Sequence, residues 1–196
     1  LAQGCQADSF PPIVASGTSA PATHGEDNVG RLGPGELVVT DVGCSVQHHT
    51  ADFTRTLPVG GKFTPEGRRL YEAVRAAQSA AARACRPGVG LMRDFGGQKS
   101  LDAISRETLK AHGVEGDYPH GLGHSVGLFV HDVGGRSEPL APGMLVTLEP
   151  GLYRKGSLGI RLEDTYLVTE TGCEPITTGL PSDPDELEAL MAAGHH

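Results

Sequence analysis

Two carboxylates, Asp41 and Asp52, stand eleven residues apart just after the apolar run Leu37, Val38 and Val39. The stretch between them reads as a β-hairpin with an acid at either end. It has a counterpart: residues 34–43 and 142–151 share the pattern Pro-Gly-x-Leu-Val-x-x-acid-x-Gly at a constant offset of 108 residues. In the second copy the acid is Glu149, and a further acid, Glu163, follows on the returning strand. A duplication of this kind brings four carboxylates together across a pseudo-two-fold axis. Such charges repel, and each loses hydration on burial, unless they are protonated or coordinate a cation. A cation is the chemistry this set suggests. The chain also offers a nitrogen ligand, His124, in the small-residue stretch 121–127, where the backbone can crowd a site. Four carboxylates and one imidazole suit two divalent ions of the Mn, Co, Zn or Fe kind, about 3.5–4 Å apart.

The elements that must position these residues follow from turn and periodicity signals. Residues 10–17 form a strand broken at its start by Pro11 and Pro12, which suits an edge. Residues 54–58 close the strand after Asp52, and Gly60 and Gly61 turn the chain. Thr64, Pro65 and Glu66 supply an N-cap, a proline for the first helical position and a first-turn acid. The helix that starts there runs to about Cys85, with Leu70, Val74, Ala77 and Ala81 as its inward stripe, and Pro87 and Gly88 stop it. A second helix covers 101–111, with Leu101, Ile104, Thr108 and Ala111 on one side, Gly113 as its C-cap and His112 at the negative end of its dipole. Strands are expected over 126–130 and 145–148. The second acid hairpin spans 143–168 with a polar turn at 154–157, and a short terminal helix after Pro181 turns Leu187, Leu190 and Met191 inward.

Three further features bear on chemistry. His48 and His49 alternate in and out of a strand and are not read as ligands. His131 follows His124 by seven residues, an odd spacing that would put them on opposite faces of a strand; they meet only if the chain turns or bulges between them. Arg161, two residues before Glu163, shares that acid's face and can hold the carboxylates or a substrate.

The 196 residues are enough for one domain with a sizeable core. A net charge of −8 with no basic run gives nucleic-acid binding little support. No apolar run reaches the roughly 18 residues of a membrane span. Cys5, Cys44, Cys85 and Cys173 have no C-x-x-C spacing and no secretory signal beside them, so reduced thiols and a cytoplasmic location are expected. His195 and His196 read as a tag remnant.

The ordered set Asp41, Asp52, His124, Glu149 and Glu163 resembles that of the pita-bread metallopeptidases, which include methionine aminopeptidase, aminopeptidase P and prolidase. The resemblance runs from Ser9 nearly to the carboxyl end. The stretches 120–135, 148–153 and 159–172 are similar to the Xaa-Pro branch; the sequence after His131 departs from the acidic-proline pattern of the methionine branch. The resemblance implies an α+β pita-bread (creatinase/aminopeptidase) fold: a curved antiparallel sheet with outer helices and an internal pseudo-two-fold duplication. It implies a catalytic domain over 1–194 that enters the family pattern partway, so that an amino-terminal part of a longer enzyme is missing. A half-covered sheet would then expose apolar surface.

It also implies roles. Asp41 holds one metal, His124 and Glu149 the other, and Asp52 and Glu163 bridge both, with manganese the first choice and cobalt, zinc or iron the others. Glu149 moves the proton of the attacking water, His24 and His131 flank the substrate, and His120 assists. At Gly25 an aromatic residue common in the branch is absent. The implied partners are peptides with proline second and further copies of the chain in a homo-oligomer. The alternatives are a methionine aminopeptidase-like enzyme and a pita-bread protein that only binds.

Overall fold

The computed structural model describes residues 4–16, 32–114, 118–154 and 158–193. His24, the turn residues 155–157 and the terminal His195 and His196 lie outside the described residues.

Both Pro-Gly-x-Leu-Val copies form strands in matching surroundings. In the first, β3 (Leu37–Val42) lies antiparallel between β2 (Ile13–Ser16) and β6 (Phe53–Pro58), with Ile13 and Thr54 on either side of Asp41. In the second, β7 (Leu145–Leu148) has β10 (Asp164–Val168) on one side. On its other side runs the segment 122–126, through bonds from Glu149 N to Leu122 O, Thr147 N to His124 O and Val126 N to Leu145 O. The two three-stranded units meet where Thr54 and Glu163 exchange backbone hydrogen bonds of 3.3 and 3.1 Å. The expected duplication is therefore visible as a repeated unit. The curved sheet is divided, with β8 (Gly151–Arg154) and β9 (Leu158–Arg161) forming a separate hairpin and β11 (Cys173–Pro175) extending the second unit beside β10.

Helices cover the outer face. In α1 (Pro65–Ala84) the hydroxyl of Thr64 accepts from Gly67 N, and Leu70, Val74, Ala77 and Ala81 are fully buried as their spacing predicts. They join two apolar clusters, one with Leu152, Ile160 and Leu162, the other with Leu122, Val146 and Leu148. In α2 (Leu101–Ala111), capped by Ser100, the buried row is Leu101, Ser105 and Leu109 rather than the expected Leu101, Ile104, Thr108 and Ala111. Fully buried Ser105 takes little room in that row, so polarity alone misjudges the face. The C-cap is His112, one residue before Gly113, with Nδ1 2.8 Å from Thr108 O. In α3 (Pro184–Ala193) Leu187 is buried, but Leu190 is 54% exposed and Met191 half-buried, because the terminal helix offers the core a narrow face.

Other expectations fail for topological reasons. His48 has a positive φ of 67° and sits with Gln47 in the tight turn between β4 (Cys44–Val46) and β5 (His49–Thr50), so the two histidines do not alternate along a strand. Residues 126–130 form a reversing loop instead of a strand. Cys5 and Cys44 are joined in a disulfide, against the expectation of reduced thiols. The short strand β1 (Ala7–Asp8) pairs with β4, setting Asp8 opposite Cys44 and the two cysteine Cα atoms 5.8 Å apart, a proximity that sequence spacing does not reveal. Cys85 and Cys173 are free. No helix among the described residues is long and apolar enough to cross a membrane.

Leu70→Ala should destabilise the chain by about 2–5 kcal/mol through an unfilled cavity, and Leu190→Ala by less than about 1 kcal/mol, as read by denaturant titration. Equal losses would contradict the packing described.

Candidate metal centre

Each candidate ligand is set at the end of a strand or beside one. Asp41 lies near the end of β3, with Oδ2 accepting from Arg161 Nη2 at 2.5 Å. Asp52 stands just before β6, where its carbonyl accepts from the Thr165 hydroxyl at 2.8 Å. His124 lies on the segment beside β7. Its backbone N donates to Thr147 Oγ1 at 3.0 Å, and that hydroxyl reaches Glu149 Oε1 at 3.4 Å. A Cβ at Gly123 would collide with the Thr147 carbonyl, so the segment approaches β7 this closely only with glycine there. Glu163 lies between β9 and β10, and the Thr54 hydroxyl donates to its Oε2 at 2.7 Å.

These placements concentrate negative charge. Nε2 of His124 is 3.5 Å from Asp52 Oδ2 and 3.3 Å from Glu149 Oε1. Asp52, His124 and Glu163 each offer a ligand atom within 4.8 Å of the others. Burial, then the charge of Asp41, pushes the Asp52 carboxyl up to about 8. Burial, then Glu163, holds Glu149 well above the carboxylate range, and burial, then Asp52, does the same to Glu163. One oxygen of each of Asp41, Asp52 and Glu163 is buried with no hydrogen-bond partner among the described residues. Buried carboxylate oxygens without donors are costly, and a divalent cation satisfies several at once. The donor set of oxygens with one imidazole nitrogen fits such an ion.

The cluster opens into a cavity of about 710 Å³ whose wall includes Phe10, Pro11, Ile13, His131 and Arg136. The His131 ring stands edge-on to that of His124, centroids 4.1 Å apart. The odd spacing is resolved by the reversing loop between them. Arg161 is buried, which works against its charge, but Tyr153, Asp41 and Glu163 together raise its pKa. Its Nη1 donates to the Tyr153 hydroxyl at 2.9 Å, and that hydroxyl is 3.0 Å from His120 Nε2. His120 Nδ1 lies 2.8 Å from the Gly121 carbonyl, which can only accept, so Nδ1 carries the proton and Nε2 accepts from Tyr153. Burial pushes His120 down to about 4, which keeps it neutral.

The five expected ligands, His120, His131 and Arg161 thus all face one cavity. Sequence reasoning missed Tyr153, Thr54 and Thr147. For Tyr153 no periodicity signal existed, since residues 149 and 150 break the strand between β7 and β8. For the threonines none did either, since a strand threonine is ordinary.

The sequence model of metallopeptidase family M24 matches residues 1–170. The chain belongs to metallopeptidase family M24. Among its M24 relatives are the Xaa-Pro aminopeptidase of Escherichia coli, 35% identical over 97% of this chain and 48% of the relative, and the Xaa-Pro dipeptidase of Pyrococcus furiosus, 38% identical over 89% and 49%. Of solved structures, prolidase from Pyrococcus furiosus superposes with a TM-score of 0.82 at 36% identity, covering 92% of this chain and 52% of that one. Escherichia coli aminopeptidase P gives 0.85 at 34%, covering 98% and 49%. The chain spans about half the length of the relatives it matches.

The charge cluster makes stability depend on pH and metal together. Asp52 titrates at about 8 in the folded metal-free chain against an ordinary 3.8, so the folded state keeps a proton that the unfolded state releases. Its contribution is present below pH 3.8 and is lost as pH rises towards 8. The gain in Tm on adding a divalent ion should therefore grow across that window, by thermal scanning with and without Mn. A gain that is flat or shrinks would contradict this charge balance.

Proposed function

We propose that this chain is the catalytic domain, residues 1–194, of a dinuclear metallopeptidase that hydrolyses the amino-terminal Xaa-Pro bond, as an aminopeptidase P or a prolidase. The observation that carries the reading is the convergence of Asp52, His124 and Glu163, with Asp41 and Glu149 beside them, around buried oxygens that have no donor among the described residues. The printed activities of the relatives agree with it. In this reading Asp41, Asp52, His124, Glu149 and Glu163 would hold the two ions, with Asp52 and Glu163 shared between them. Manganese is the first choice, with cobalt, zinc or iron as others. When bound, such ions supply a Lewis acid for the scissile carbonyl and ionise water at neutral pH.

The chain's own residues do the rest. Glu149 would take the proton of the attacking water and pass it to the leaving nitrogen. His131, at the cavity wall, donates to the developing oxyanion. His120 has committed both ring nitrogens, so it assists by holding Tyr153, which holds Arg161, which holds Asp41. The second substrate-flanking histidine of this reading, His24, lies outside the described residues. The amide before proline has no N–H to bind. The apolar wall of Phe10, Pro11 and Ile13 offers the pyrrolidine ring a surface instead.

We further propose a homo-oligomer and a missing amino-terminal part. The exposed Leu128, Phe129 and Val133 beside the cavity are apolar surface for either to cover. A cytoplasmic location is supported by the free thiols of Cys85 and Cys173, while the Cys5–Cys44 bond is of a kind that oxidising compartments preserve.

The test is turnover of Xaa-Pro dipeptides and tripeptides by the full-length protein, stripped of metal and then reloaded with Mn or Co. Metal-dependent release of the first residue from the tripeptide identifies an aminopeptidase P, and cleavage of the dipeptide alone a prolidase. With metal bound and neither cleaved, the reading fails, and methionine-initiated peptides and then a binding-only role come next. Glu149→Ala and Asp52→Ala should abolish turnover and lower metal content; an active, fully metallated variant would refute their assignment. His131→Ala should keep its metal and lose about 10²–10⁴-fold in kcat.

A further inference from the structure

His131 reaches His124 only because the chain doubles back between them. Ser125 and Asp132 form an antiparallel bridge, with Asp132 N donating to Ser125 O at 2.9 Å. Two anchors hold the ends of this reversal. Thr50 donates from both its backbone N and its hydroxyl to the Gly127 carbonyl, at 2.8 and 2.9 Å, and the Ser125 hydroxyl donates to the Gly134 carbonyl at 2.8 Å.

The path between the anchors follows the carboxylate of Asp132. Its Oδ2 accepts from the backbone N–H of Leu128 at 2.7 Å and of Phe129 at 3.4 Å, and its Oδ1 from Val133 N at 2.8 Å. A Cβ at Gly127 would collide with that same carboxylate, so the turn is wrapped tightly around it. Apolar burial cannot be what shapes the tip, because Leu128 is 59% and Phe129 71% exposed. The bonds to Val133, Phe129 and Leu128 also hold the Asp132 carboxyl below its ordinary range, so it stays an anion and a strong acceptor.

We propose that Asp132 is a positioning residue: its carboxylate templates the turn at 127–133 and so holds the His131 imidazole against His124 at the cavity wall. The proposal rests on the peptidase reading above, in which His131 acts on the substrate. Asp132 acts through the backbone and through its neighbour.

The experiment compares Asp132→Ala, Asp132→Asn, His131→Ala and the Asp132→Ala/His131→Ala double variant in the metal-loaded protein. Asp132→Ala should keep wild-type metal content, which also reports that it folds. Amide exchange at Leu128, Phe129 and Val133 should quicken by about tenfold or more. In the zinc-loaded protein the His131 ring-proton signals should move to those of a free histidine. For an Xaa-Pro tripeptide kcat should fall by about 10–100-fold with KM changed by less than about threefold. Asp132→Asn, which keeps one acceptor oxygen, should fall between wild type and Asp132→Ala. With His131 already replaced by alanine, Asp132→Ala should cost nothing further. Additive losses in the double variant, or unchanged exchange and ring signals in Asp132→Ala, would overturn the proposal. If the wild type cleaves no Xaa-Pro peptide, the peptidase reading fails, while exchange and ring signals still decide whether Asp132 holds His131.

Discussion

Asp41, Asp52, Glu149 and Glu163 share one cavity whose wall carries two guanidiniums, those of Arg161 and Arg136, and much of the surrounding structure answers that excess of negative charge. The hydroxyls of Thr54 and Thr147 reach two of the acids. Arg161 takes one oxygen of Asp41 and is itself kept in place by Tyr153 and Thr54. What remains is a set of buried oxygens that no donor among the described residues satisfies. In the metal-free chain the neighbouring acids raise the pKa of Asp52, Glu149 and Glu163, so the set is held together by the fold against its own repulsion, and a cation would relieve all of them at once.

The scaffold keeps these charges in register through a second buried ion pair behind them. Arg55 meets Asp164 at 2.6 Å and also donates to the carbonyls of Thr54 and Glu163, at 2.9 and 2.7 Å. Those two residues form the bridge between the repeated units, so Arg55 clamps the junction. Gln78 of α1 completes this layer, donating to Asp164 and to the Leu148 carbonyl. The outer helix is thereby tied to β7 and β10 of the second unit. The cavity face depends on ions and the outer face on apolar packing, with the strands as the boundary.

Much of this was legible in the sequence where one residue type carries one physical demand. The repeated Pro-Gly-x-Leu-Val strand, the Thr64 cap and the apolar stripe of α1 were readable because local chemistry decided them. The four acids that meet at the cavity were readable as candidate ligands because acids at strand ends have few reasons to recur with one spacing. Legibility failed where a distant partner decides. Cys5 and Cys44 meet only because β1 lies beside β4, and residues 126–130 leave the strand state because Asp132 captures their backbone. The row that α2 buries turns on Ser105, whose smallness counts for more than its polarity. Tyr153 needed the structure to reveal that it stands between His120 and Arg161.

The most direct measurement is calorimetric titration of the metal-free protein with Mn at pH 7, in two buffers that differ in ionisation enthalpy. The account predicts two ions bound per chain, with net proton release, because carboxyls whose pKa is raised by burial and by one another must ionise to become ligands. No binding, or binding without proton release, would contradict the claim that buried charge awaiting a cation organises this structure.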